Sequence, residues 1–256
     1  MSSINIRNPE LIERLARFKN LFITKPVITS SGQFIPVDYS RGIFLDPVIL
    51  QMMCKEFARL IDFAKIDVIA GIDLQGVPLA VGLMMETGKP MVIVREKPKR
   101  LGRSPIIGDI NFIFPGARVL LVDDAMAYGG TKEERTKLLE EQGAKVTDVA
   151  VFVQVAHNVP PKHSLNPQFN YQAQEWLTAR NIRVHKLIDY HEIAILQEHA
   201  GTISKELSEM HQEITNGPYW EDTQNLTRLY EYMKRENLPI EEFVVEFMKE
   251  HGVEVS

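Results

Sequence analysis

Two adjacent aspartates, Asp123 and Asp124, follow the apolar run 119–122, and a glycine pair, Gly129 and Gly130, comes five residues later. Ala127 and Tyr128 lie in the loop between, and Thr131 with Glu134 makes a T-x-x-E pattern that predicts a helix starting at Thr131. Glycines let a backbone curl and approach a ligand closely. Amides at a helix N-terminus form an anion pocket suited to phosphate. Two carboxylates beside such a pocket repel the phosphate itself, so they suit a neighbouring part of the same ligand. They accept hydrogen bonds from vicinal hydroxyls and stabilise positive charge that develops nearby. A phosphate, a diol and cationic character in the transition state together describe a ribose 5-phosphate unit attacked at its anomeric carbon. The loop is not a Walker loop, because the GK[ST] ending is missing.

Such a site needs elements that bring strand ends together. Residues 67–72 (DVIAGI), 91–95 (MVIVR), 118–124 (RVLLVDD) and 145–155 (KVTDVAVFVQV) are apolar runs of strand length, as in strands buried on both faces. Helical stretches separate them. Residues 45–64 predict a helix capped by Asp46 with Pro47 in its first turn, and Ile49, Met52, Met53, Phe57, Leu60 and Ile61 return at helical spacing. A second helix spans 76–88 and ends at Gly88, and a third carries Leu138 and Leu139 and ends at Gly143. The alternation from 67 to 155 predicts βαβ units, hence an α/β fold with a central parallel sheet and helices on both faces. In open sheets of this kind ligands bind beyond the carboxyl ends of the strands, which is where Asp123 and Asp124 are expected.

After Val155 the pattern changes. A proline-rich link over 156–168 leads to a helix, the strand 182–188 and another helix. From Thr202 the chain reads as mostly helical, with a turn at 216–220 and a last amphipathic helix over 237–252.

Composition narrows the partners. The chain has 256 residues, 45% hydrophobic and 25% charged, which suits one large domain, or one domain with an appendage. The formal net charge of -5 argues against a general nucleic-acid grip. No stretch approaches the ~18 apolar residues of a membrane span, and the N-terminus lacks an apolar core of signal-peptide type. The single cysteine, Cys54, reads as a packed core residue, and a chain with one cysteine fits a reducing, cytoplasmic compartment. The seven histidines show no metal-ligand spacing.

The string VLLVDDAMAYGGT, residues 119–131, resembles the phosphoribosyl pyrophosphate (PRPP) motif of the type I phosphoribosyltransferases. Among their branches the orotate phosphoribosyltransferases match best. Residues 30–47 resemble their N-terminal segment, 67–80 their pyrophosphate loop, 94–103 their mobile catalytic loop and 181–204 their C-terminal strand and helix. The resemblance covers roughly 27–220. It implies a phosphoribosyltransferase domain over 1–220, with a core about 45–158 and a small hood from the N-terminal segment and 165–190. Residues 221–256 would be a helical C-terminal extension.

The resemblance also assigns roles. Asp123 and Asp124 would hold the ribose hydroxyls, and the backbone from Ala127 through Tyr128, Gly129 and Gly130 to Thr131 would cradle the 5-phosphate. Asp73, Leu74, Gln75 and Gly76 would present amides to pyrophosphate, joined by Lys97, Lys99 and Arg103 of the basic loop that starts at Arg95. Lys99 matches the catalytic lysine. Mg²⁺ would bridge the pyrophosphate oxygens, held mainly by PRPP and water, with few protein ligands. The implied reaction transfers the 5-phosphoribosyl group from PRPP to orotate in a homodimer whose mobile loop is shared across subunits, with no nucleic acid or membrane involved.

Several positions depart from the family pattern. Ala127 replaces a threonine, Tyr128 replaces a threonine or another small residue, Glu96 replaces a lysine, and Leu101 replaces a histidine. Ser30 stands where a substrate-binding lysine is usual, and Gln154 and Val155 stand where an Asp-Arg pair reads the orotate carboxylate. A buried carboxylate without a cation costs several kcal/mol. Either another cation serves, such as Arg41 or His157, or the base is a different one, such as a purine. Glu96, Leu101 and Tyr128 also leave open a non-catalytic protein that senses PRPP or a nucleotide.

Overall fold

The computed structural model describes residues 4–19, 21–23, 27–28, 34–35, 38–39, 41–72, 74–95, 106–107, 110–155, 173–215 and 222–255. Near the N-terminus Asn8 accepts hydrogen bonds from the Glu10 and Leu11 amides, and Pro9 opens helix α1 (Pro9–Arg17). Four two-residue strands follow: β1 (Phe22–Ile23), β2 (Val27–Ile28), β3 (Phe34–Ile35) and β4 (Asp38–Tyr39). They pair antiparallel, β1 with β4 and β2 with β3. Helix α2 (Pro47–Leu60) starts as expected, with the Asp46 carboxylate accepting from the Val48 and Ile49 amides at 2.9 and 3.0 Å. The Glu56 carboxylate on α2 accepts from the Arg7 and Asn8 amides, which fastens α1 to it.

The sheet core then builds by alternation. Strand β5 (Val68–Ile72) is wholly buried, and helix α3 (Val77–Thr87) stops at Gly88 in the left-handed conformation (φ 69°). Strand β6 (Met91–Val94) and the short β7 (Ile106–Ile107) come next, followed by β8 (Arg118–Met126), helix α4 (Gly130–Glu141) and β9 (Lys145–Gln154). Helix α5 (Ala173–Ala179), strand β10 (Arg183–Asp189) and helix α6 (Tyr190–His199) complete this part. The strand order is β10-β9-β8-β5-β6-β7, parallel throughout except that β7 runs antiparallel to β6. The sequence gives no sign of β7. The resemblance places 165–190 in a hood; within that span β10 extends the main sheet along β9, with Ile188 opposite Val153, and 165–172 lie outside the described residues.

Apolar residues fill both faces of the sheet. On one face Leu120, Val122, Ala150 and Phe152 pack against α2 and α3 through Met53, Phe57, Leu79 and Leu83. On the other, Val119, Leu121, Val149 and Val151 meet Leu139 of α4 and Leu177 of α5. Cys54 belongs to the first layer, and burial pushes its thiol up to about 12, so it is an inert core residue. Beyond α6, helices α7 (Lys205–Thr215), α8 (Thr223–Arg235) and α9 (Glu242–Glu250) share a third core of Leu207, Met210, Leu226, Leu229, Met233 and Met248. No helix among the described residues is long and apolar enough to cross a membrane.

Strand order locates the binding crevice. From β5 the chain moves through α3 to β6 on one side, then jumps back to β8 on the other. The carboxyl ends of β5 and β8 flank that reversal, the place where an open parallel sheet leaves room for a ligand.

Candidate active site

Strand β8 does not stop at its acids. It runs through Asp123 and Asp124 to Met126, because β9 extends alongside and supplies ladder partners: Asp123 faces Val151, Ala125 faces Val153 and Met126 faces Gln154. Consecutive strand residues point to opposite faces. Asp123 is therefore on the α4 side with Val119 and Leu121, and Asp124 is on the α3 side with Leu120 and Val122. Both are buried, each 7% exposed.

A buried carboxylate needs partners. Asp123 Oδ1 accepts the Asp124 amide at 2.9 Å, and Oδ2 lies 2.6 Å from Lys132 Nζ. Lys132, 5% exposed, reaches across from the first turn of α4 and also donates to the Ala125 carbonyl oxygen. Burial raises the Asp123 pKa, the Lys132 ammonium pulls it down, and the Asp124 charge pushes it up again, leaving it well above the usual carboxylate range. Lys132 is absent from the sequence-based set of site residues. The available signal is its position, since a lysine in the first turn of a helix opposes the macrodipole and calls for a reason.

Helix α4 begins at Gly130, one residue before the expected start. Gly129 is its N-cap, left-handed at φ 89° and ψ 0°, and no side chain caps the helix. The Thr131–Glu134 capping box does not form, because a capping residue needs an extended backbone and Thr131 already lies inside the first turn. Glu134 instead sits 3.3 Å from Arg135. The first-turn amides of α4 have no intrahelical acceptors, and the positive end of the helix dipole adds to them, which makes a receptor for an anion.

The loop before α4 is fixed from behind. The Gln174 amide donates to the Tyr128 carbonyl oxygen at 3.0 Å, and its side chain Nε2 donates to the Ala127 carbonyl oxygen. These bonds turn both carbonyls toward α5. Tyr128, a bulky ring for such a loop, is buried. Gln174 is also invisible to sequence reasoning, being 47 residues from Ala127 along the chain.

The turn between β5 and α3 meets the acids from the other side. Leu74 and Gln75 are exposed, whereas Gly76 is packed on β8. The Gly76 amide donates to the Ile72 carbonyl oxygen at 3.0 Å, so it serves the turn itself. Arg95, half-buried, follows the carboxyl end of β6, whose Val94 pairs with Ile72 of β5. The structure thus brings Leu74, Gln75, Gly76, Asp123, Asp124 and 127–131 to one end of the sheet. Asp73, Lys97, Lys99 and Arg103 lie outside the described residues, as do Ser30, Glu96, Leu101 and His157 and the side chain of Arg41.

At the end of β9, Gln154 Nε2 donates to Gln174 Oε1 at 3.2 Å. Two neutral carboxamides therefore stand beside the loop where a charged pair is expected in an orotate site. Among the described residues, no group of three His, Cys, Asp or Glu could hold a metal ion.

Known proteins resemble this arrangement. The family profile of the phosphoribosyl transferase domain matches residues 49–180. An orotate phosphoribosyltransferase of Thermococcus gammatolerans is 40% identical over 116 residues, which are 44% of this chain and 60% of that protein. A hypoxanthine/guanine phosphoribosyltransferase of Aciduliprofundum boonei is 30% identical over 125 residues, 45% of this chain and 68% of that protein. The crystal structure of orotate phosphoribosyltransferase from Aeropyrum pernix superposes with a TM-score of 0.56 at 21% identity, covering 74% of this chain and 98% of that one, which shows a shared fold.

Proposed function

We propose, because the chain belongs to the phosphoribosyl transferase domain family, that it transfers the 5-phosphoribosyl group from PRPP to a nucleobase, with orotate as the base and orotidine monophosphate and pyrophosphate as the products. One observation carries this reading: an uncapped helix N-terminus at Gly130 stands beside the buried acids Asp123 and Asp124 at the strand-order reversal. Anion receptor and carboxylates then stand at the same end of the sheet, which suits a phosphorylated ribose.

In this reading the amides of 127–131 hold the 5-phosphate, and Asp123 and Asp124 face the hydroxyls and the cationic anomeric carbon. The amides of Asp73, Leu74 and Gln75 receive pyrophosphate, and Gly76, whose amide is bonded to Ile72, closes the turn. The basic loop with Arg95, Lys97, Lys99 and Arg103 closes over the leaving group and excludes water, and Lys99 neutralises its charge. The bond from the anomeric carbon to pyrophosphate breaks as a ring nitrogen of the base forms the new one. Protein groups contribute mainly position and charge. Mg²⁺, when bound, would be held mainly by PRPP and water and would supply positive charge against pyrophosphate, since the acids here form no metal-ligating group among the described residues. The reading extends to a cytoplasmic homodimer that shares the basic loop between subunits, with catalysis in 1–220 and the helical extension at 221–256.

A second reading has a specific observation behind it. The Gln154–Gln174 carboxamide pair offers neutral donors and acceptors, which suit the edge of an oxopurine better than a carboxylate. Hypoxanthine/guanine phosphoribosyltransferases also stand among the relatives.

A pyrophosphate-release assay with PRPP, Mg²⁺ and a panel of bases tests both. Turnover confined to orotate supports the first reading, and turnover on hypoxanthine or guanine supports the second. Lys99→Ala is expected to lower kcat at least about a hundredfold, ~2.7 kcal/mol of transition-state stabilisation. PRPP binding without turnover on any base would contradict both.

A further inference from the structure

Lys132 stands inside the proposed site without a role in it. Its ammonium is buried, fixed between Asp123 Oδ2 at 2.6 Å and the Ala125 carbonyl oxygen. A lysine free to grip phosphate would extend into the crevice, but this one is turned back under β8 and held there by two acceptors. We propose that Lys132 is a positioning residue for phosphoribosyl transfer, which fixes Asp123 and favours its ionised form so that its carboxylate can face the sugar as it becomes cationic. This inference rests on the phosphoribosyltransferase reading.

The chemistry follows from burial. A carboxyl group removed from water takes up a proton unless a cation stands beside it. Among the described residues the charged groups acting on Asp123 are Lys132 from α4, which favours the ionised form, and Asp124 on β8, which opposes it. The neighbouring residue across the ladder, Val151 of β9, carries no charge. Without Lys132 the acid pair would therefore keep its shared proton to still higher pH. A protonated Asp123 loses the negative charge that an oxocarbenium-like transition state calls for. The Lys132 bond to Oδ2 leaves room, since a carboxylate oxygen accepts two hydrogen bonds.

The test uses the full-length chain with PRPP, Mg²⁺ and a base panel, measured from pH 5.5 to 9 for wild type, Lys132→Met, Lys132→Arg and the neutral pair Asp123→Asn/Lys132→Met. Lys132→Met is expected to lose about fivefold in kcat at pH 7 and regain it toward pH 9, its acid limb moved up by about one pH unit, with KM for PRPP within about threefold of wild type. Lys132→Arg restores the wild-type profile. The neutral pair removes the uncompensated buried charge, so it keeps the test alive if Lys132→Met does not fold, and it shows no recovery at high pH. An unshifted profile in Lys132→Met, a loss confined to KM, or a neutral pair as active as wild type would overturn the inference while the functional reading stands. No PRPP-dependent turnover by wild type on any base would overturn both.

Discussion

A side-chain carbon placed on Gly76 would lie 2.8 Å from the Cα of Asp123. Gly76 has an ordinary helical backbone, φ -74° and ψ -15°, so the glycine is required by space and not by conformation. The turn that follows β5 is thus pressed directly on the strand that carries the acids. Gly76→Ala is expected to push the two apart, costing about 1–3 kcal/mol of stability through overpacking. It should also lower kcat/KM for PRPP at least about tenfold, ~1.4 kcal/mol. Thermal melts and pyrophosphate release check the two effects, and a fully active, fully stable variant would show that the approach is not needed.

Gln174 fixes the loop before α4 through the Ala127 and Tyr128 carbonyl oxygens. Gln174→Ala keeps the backbone bond to Tyr128 but loses the side-chain bond, worth about 1 kcal/mol in stability. The freed loop must be ordered again when phosphate binds. Steady-state kinetics should therefore show a raised KM for PRPP with kcat little changed. An effect on kcat alone would place Gln174 in a different role.

His211 sits at the seam between α6 and α7, fully buried, and shares a hydrogen bond with Tyr190 Oη at 2.9 Å. Burial holds its pKa down, to about 3 from an ordinary 6.5. The folded protein keeps it neutral over that interval while the unfolded chain takes up a proton. Stability is therefore lost as pH falls below 6.5 and continues to fall toward 3, by roughly 2 kcal/mol at pH 5. Denaturant titrations at pH 7.5 and 5 should show the loss in wild type and a smaller one in His211→Phe. Equal losses would locate the proton uptake elsewhere.

The parallel sheet was legible because its strands are buried on both faces and read as unbroken apolar runs, as in 68–72 and 149–153. Asp46 and Gly88 marked helix ends for reasons that act locally, a side-chain cap and a left-handed residue. The site was legible as a string of residue types at fixed spacing around Asp123 and Gly129. Its wiring was not. Thr131 and Glu134 imitate a capping box, yet Gly129 turns the chain into α4 one residue sooner. The continuation of β8 through two aspartates breaks the apolar pattern, and only the buried Lys132 and the long ladder with β9 explain it. Gln174 meets the loop through tertiary packing alone, and β7 is two residues long, too short for periodicity to mark.

The central claim is that a phosphorylated ribose binds between Gly76, Asp123–Asp124 and the start of α4. Titration calorimetry of the purified chain with PRPP in the presence of Mg²⁺ tests it most directly. Saturable binding at one site per chain, competed by a nucleoside 5-monophosphate and weakened by Asp124→Asn, is the expected result. Absence of binding for both PRPP and nucleoside monophosphates would contradict it.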